Sequence, residues 1–241
     1  MDVVSNDNFG NSPSPMPPDW YIDPWDQTKQ TVSEKEKEAV AGILLKESDL
    51  VGLQYSVEPQ EPTTPEEEAF EKKLDSCYTD GVPSEMYEID GDEFVFENLS
   101  GMTIRSWATI YESSSVATKD LLSIEDESYV GCLKGVTREY IGSSWEKYDE
   151  TLSVLEMEPY DESVSGVVSR SMYMYVESSS GSGFIQFMTE MQRDAVLVSV
   201  MATLSVTNAE IVQQAEQQTG FLEEVHSVIA DRLRLAVLET K

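Results

Sequence analysis

The chain has 241 residues, and 46 acidic against 16 basic side chains leave a formal net charge of −30 at pH 7. That balance excludes a general nucleic-acid binder, which needs clustered Lys and Arg against phosphate, and it opposes docking on anionic lipid. Hydrophobic residues at 40% and aromatics at 9% are enough for a core, so a globular body is expected.

The acidic excess reads first as a solvating coat, suited to a salty medium, and second as a means of meeting a cationic partner. The longest apolar run, Ala195–Val206, is interrupted by Ser and Thr and is too short to span a bilayer. The start "MDVVSNDNFG" has neither a basic n-region nor an apolar h-region. This fits a cytosolic protein, or an exported one whose leader has been removed.

Residues 1–30 read as a Pro-rich acidic tail with extended, unpaired backbone, and 31–241 as one domain. Trp20, Tyr21 and Trp25 are unusual in a pure linker and are the tail's candidates for docking on the body or on a partner. "TVSEKEKEAVAGILLKESDL" follows, with Ser33 and Glu36 at capping-box spacing and Ala39, Ile43 and Leu44 as an apolar stripe. After a short strand, "LQYSVEP", the stretch "TTPEEEAFEKKLDSCYTDG" predicts a helix. Thr64 is its N-cap, Pro65 its first residue and three glutamates fill its first turn, all suited to the positive end of a helix dipole; Gly81 closes it.

Strands are expected at "DEFVFENL" and "MTIRSWATIYES". In the second, Ile104, Ala108 and Ile110 share one face and Arg105, Trp107, Thr109 and Tyr111 the other. "SSVATKDLLS" and "ESYVGCLKGVTREYIGSS" read as a helix pair. Four further strands follow, "ETLSVLEMEP", "SVSGVVSRSMYMYVES", "GFIQFMTE" and "RDAVLVSVMATLSV", with "SSSGSG" as a hairpin loop. "TGFLEEVHSVIADRLRLAVL" closes the chain as an amphipathic helix. This order predicts an α+β domain, an antiparallel sheet with helices packed against it.

Catalytic patterns are thin. The lone histidine, His226, lies at the margin of the last helix's apolar stripe and reads as packed structure. No Walker A, GxGxxG or GxSxG pattern occurs. The acidic run with Glu88, Asp90, Asp92, Glu93 and Glu97 offers oxygen ligands but lacks EF-hand spacing, so no metal site and no cofactor is assigned. Met172, Met174, Met188 and Met201, with Phe184, are candidates to line an adaptable apolar pocket; ordinary core filling is the alternative.

Cys77 and Cys132 are the two cysteines. Neither has the electropositive setting of a reactive thiolate, and both fall in helical segments. A bridge is the simpler reading, two inert buried thiols the other. A bridge implies an oxidising compartment and a removed leader, with the tail as tether to an anchor upstream.

Several segments, "LLKESDLVGLQYSVEP", "LDSCYTDG", "SWATIYESSSVATKDL", "YVGCLKGV", "SRSMYMYV", "RDAVLVSVMATLSV" and "FLEEVHSVIADRLR", resemble actinobacterial exported proteins and lipoproteins. Residues 40–239 are similar to the extracellular sensor domains of mycobacterial PknH-type kinases and related lipoproteins. The resemblance implies an extracytoplasmic α+β fold with a cleft for a ligand, and brings no catalytic residues. Kinase-type members carry two disulfides, whereas one pair is available here. The expectation is a non-enzymatic extracellular or cell-envelope binding module for a small apolar or amphipathic ligand or an envelope protein. The alternative is a surface assembly subunit that docks through its aromatic tail.

Overall fold

The computed structural model describes residues 31–58, 63–96, 101–160, 163–207 and 211–236, without the side chains of 207–219. Apart from residue 31, these belong to one compact unit, Val32–Lys241. Seven strands form one sheet: β1 (Ser56–Glu58), β2 (Glu85–Phe96), β3 (Met102–Tyr111), β4 (Leu152–Tyr160), β5 (Val168–Ser178), β6 (Ser182–Arg193) and β7 (Val196–Thr207). Every pairing is antiparallel and the order is β1-β2-β3-β7-β6-β5-β4. The chain therefore runs a four-strand meander from β4 to β7 and lays its last strand against β3.

Five α-helices cover this sheet: α1 (Glu34–Ala41), α2 (Pro65–Asp75), α3 (Ser114–Ser123), α4 (Glu127–Glu146) and α5 (Ile211–Leu235). Local chemistry sets where several begin. Ser33 and Glu36 complete a capping box on α1, and Thr64 and Glu67 complete one on α2. Asp126 accepts from the Ser128 and Tyr129 amides to start α4.

Strand alternation divides the sheet into two faces. On the first, Val196, Val198, Val200, Ala202, Leu204 and Val206 of β7 are all buried, as are Phe94, Phe96, Ile104 and Ala108. They pack with Leu222, Val225, Ile229 and Leu233 of α5 and with Val40, Ile43, Leu44 and Leu45. Each Val, Leu, Ile or Phe among them contributes roughly 1.5–3 kcal/mol by leaving water. Arg232 of α5 locks the layer by pairing with Asp49 and donating to the Leu44 carbonyl at 2.8 Å.

On the second face, α3 packs over Tyr111 and Leu197. Helix α4 covers Leu155, Met157, Met172 and Val176 with Ile141. Thr109 and Tyr111 are thereby buried, so the end of β3 is enclosed on both faces.

The structure departs from the sequence reading at several element ends: α5 starts at Ile211 and not at Thr219, β5 at Val168 and not at Ser163, and three others matter more. Helix α1 stops at Ala41, with Gly42 as its cap, and Ile43 and Leu44 enter the core from the following turns. Helix α2 ends at Asp75, so Cys77 lies beyond its C-cap Ser76, and Gly81 belongs to a later turn at φ +87°. Strand β2 starts at Glu85 and absorbs Glu88, Asp90, Asp92 and Glu93 of the acidic run, which are pleated sheet with a register shift between Asp90 and Glu93, not a ligand loop.

In the β5–β6 hairpin Gly183 is obligatory, because a Cβ there would sit 2.0 Å from the Val176 carbonyl oxygen.

Candidate functional site

Between the α3 and α4 coverings, a band of the second sheet face stays partly open among the described residues. It comprises Arg105 and Trp107 of β3, Met201 and Thr203 of β7, and Gln186 and Met188 of β6. The Arg105 guanidinium lies 5.0 Å from the centroid of the Trp107 ring, and Gln186 Nε2 donates to Thr203 Oγ1 at 3.1 Å. Met201 stands directly opposite Arg105 on one side and Met188 on the other.

One register row across the same face carries three charged residues, Asp90, Glu190 and Arg170. Asp90 pairs with Trp107, Trp107 with Ser199, Ser199 with Glu190, and Glu190 with Arg170. Arg170 contacts Glu125, yet its Nε is enclosed and, like Glu190 Oε2 opposite it, meets no hydrogen-bond partner among the described residues. Glu190 keeps some exposed surface, but its Oε2 is enclosed and meets no hydrogen-bond donor among the described residues. Burial, and next the Asp120 anion, push its carboxyl up to about 8.

Beside it, Asp120 of α3 accepts from Tyr78 Oη at 2.7 Å and from Tyr111 Oη, while Tyr129 Oη donates to Tyr78 Oη at 3.3 Å. Burial raises all three phenols, and the Asp120 charge adds to it. At the rim, Glu85 is pushed up to about 7 by partial enclosure and then by Glu88 and Asp120. Glu88 is also raised, first by enclosure and then by Asp90, and it accepts from Thr109 Oγ1 at 3.3 Å.

Helix α2 is tied to α4 beside this network. Cys77 and Cys132 form a disulfide with Cα atoms 5.5 Å apart. Phe70 stacks on Tyr140 at 4.3 Å and Lys73 pairs with Glu139 at 2.7 Å. None of the α2 residues is buried, so these links and not a core face hold it. A cavity of about 410 Å³ opens between the two helices, lined in part by Phe70, Tyr140, Lys73 and Lys147.

The structure separates the methionine candidates. Met172 is buried under α4; Met174, Phe184 and Met188 are half-buried against the same cluster, and Met201 lies on the open band. Met188 and Met201 therefore line the band, and Met172 fills core. His226 is buried on α5, on the opposite side of the sheet. Glu88, Asp90, Asp92 and Glu93 lie along β2, and among the described residues no group of three or more His, Cys, Asp or Glu could hold a metal. Trp20, Tyr21, Trp25 and Glu97 lie outside the described residues.

Sequence reasoning passed over Glu190 and Ser199 as site residues. Glu190 carried one usable signal, an acid at a position whose alternate neighbours Met188 and Gln192 share the helix-covered face.

No family model matches the chain, and no curated protein matches it. Among solved structures the chain is similar to the extracellular domain of PknH from Mycobacterium tuberculosis. The TM-score is 0.40 at 13% identity, over 86% of this chain and 99% of that chain.

Proposed function

We propose that the chain is a non-enzymatic binding module that works in an oxidising, extracytoplasmic space and takes its ligand on the open band of the second sheet face. The observation that carries this reading is the band itself. Trp107, Met188 and Met201 leave apolar surface partly exposed, while an unpartnered carboxyl oxygen lies in the same row of the sheet. The Cys77–Cys132 bridge supports the compartment, since such links persist outside the reducing cytosol.

A neutral fluorescent probe, N-phenyl-1-naphthylamine, tests the site. Blue-shifted, saturable emission at a single site is expected for the whole chain and is lost in Met201→Glu, with the circular dichroism unchanged. Emission that persists in Met201→Glu, or no saturable binding at all, rules the band out as the ligand site.

A further inference from the structure

We infer that the outer edge of β4 takes up an extended basic segment of another protein as an added strand, with Lys or Arg at alternate positions set against Glu156 and Glu158. This surface lies on the first sheet face, away from the open band, and is independent of the ligand proposed there.

Strand β4 ends the sheet and pairs only with β5 among the described strands. Its side chains alternate. Leu155 and Met157 turn in beneath α4, whereas Glu156 and Glu158 point to the other face and are exposed. The next residues inward in their rows are Tyr175 and Tyr173, both half-buried. The Tyr173 row continues through Phe187 to Ala202, which lies in the layer beneath α5. Helix α5 packs mainly on β6 and β7, so an aromatic shelf with an acidic rim stays beside it.

The Tyr173 hydroxyl donates to Glu158 at 3.4 Å, and that of Tyr175 donates to Glu177, a third carboxylate on the shelf. Both phenols are raised, first by partial enclosure. The Glu158 and Glu156 charges add to this at Tyr173, and Glu177 and Glu156 add to it at Tyr175, which is pushed up to about 12. The phenols therefore stay neutral at physiological pH, and the negative potential extends over their rings. No Lys or Arg of β4, β5 or β6 offsets it. Arg170 shares the Met172 face under α4, and Arg193, at the far end of β6, donates to the Leu233 carbonyl at 3.0 Å.

The spacing and the charge together name the occupant. Alternate side chains of an extended strand stand about 6.8 Å apart, as Glu156 and Glu158 do, so a cation at every second position of an added strand meets each glutamate in turn. Beyond the glutamates, the faces of Tyr173 and Tyr175 attract the same cations. A second copy of β4 would set Glu against Glu, so the charges that bar self-pairing select a basic partner. Residues 1–30 do not supply that segment, since Lys29 is their one basic residue. Pro159 has no N–H to donate and confines the pairing to the residues before it.

The probe is a rhodamine-labelled octapeptide of alternating lysine and threonine, titrated with the whole chain and followed by anisotropy at about 0.05 M and 0.15 M salt. One-to-one saturable binding is expected, several-fold weaker at the higher salt, with hydrogen exchange slowed at the β4 amides. Glu156→Gln/Glu158→Gln weakens it about tenfold, whereas Glu127→Gln/Glu146→Gln, which removes the same charge from α4, leaves it within about twofold. An octapeptide of alternating lysine and proline keeps the charge but lacks the donors and binds about tenfold more weakly. Equal weakening by both glutamine pairs, or equal binding of the proline peptide, marks adsorption on a polyanion and overturns the assignment, as does the absence of saturable binding. A chain that sediments as a dimer, with β4 amides already protected, puts a second copy on the edge and overturns it too. Naphthylamine emission is expected to be the same in Glu156→Gln/Glu158→Gln as in the parent, so failure at one surface is distinguishable from failure at the other.

Discussion

Replacing Glu190 by Gln isolates the cost of enclosing one carboxyl on the sheet. In the folded chain that carboxyl is raised to about 8 from its ordinary 4.5, with burial the larger cause. Between those values the native state holds a proton that the unfolded state has lost. The unfolded state therefore binds fewer protons, and stability falls as pH rises through this window. Below 4.5 both states are protonated and above 8 neither is, so the slope vanishes at each end. Within the window the slope is about 1.4 kcal/mol per pH unit, or roughly 3 kcal/mol between pH 4.5 and 7. Part of the residue is still open to water, which trims the expectation to about 2 kcal/mol at pH 7. Gln keeps the shape and is neutral throughout. Urea unfolding followed by far-ultraviolet circular dichroism, for both proteins from pH 5.5 to 8.5, gives the difference directly, because all other titrating groups are common to the pair. Glu190→Gln should gain on the parent steadily up to about pH 8 and then hold a constant lead. Parallel curves across that range would refute the claim that this carboxyl is neutral in the folded protein.

Four further variants probe what holds the fold. Opening the Cys77–Cys132 bridge frees a 55-residue separation in the unfolded chain, and the double Ala variant should lose about 4 kcal/mol in urea unfolding; a loss below about 1 kcal/mol means the link constrains little. Phe94→Ala empties a fully buried position that meets Tyr55 edge-on at 5.5 Å, and thermal unfolding should register a loss of about 3–5 kcal/mol; a small loss would show that the layer beneath α5 collapses to fill the gap. Asp49→Ala strips the partner from Arg232, whose other donor contact is the Leu44 carbonyl. That variant should lose about 3 kcal/mol, whereas Glu34→Ala, which removes an exposed pair with Lys37, should lose less than about 1 kcal/mol.

How much could be read in advance follows the range of the interactions involved. The capping boxes at Ser33–Glu36 and Thr64–Glu67 are contacts between residues three apart, so the segment alone declares them. The alternation in β7 likewise announced a strand with one wholly apolar face, and that face is the one against α5. Strand β2 was misjudged at its start because Asp, Glu and Gly are poor strand formers in isolation. Pairing of Tyr87, Glu88 and Ile89 with Ile110, Thr109 and Ala108 overrides that preference. The end of α1 was missed for the converse reason. Ile43 and Leu44 continue an apolar pattern, yet they reach the core from turns where Leu45 N–H is satisfied by the Ser106 hydroxyl, 61 residues away.

By itself the sequence determined the α+β class, the element order and the acidic exterior, because periodicity, caps and charge are properties of neighbours along the chain. The Cys77–Cys132 bridge, expected from the sequence, is formed, whereas the band and its row of Asp90, Trp107, Ser199 and Glu190 were decided only by the tertiary structure. Those residues lie as many as a hundred positions apart, and what joins them is strand order: laying β7 between β3 and β6 sets Ser199 between Trp107 and Glu190. Such long-range pairing is selected by the burial of the whole sheet at once, and no local pattern encodes it.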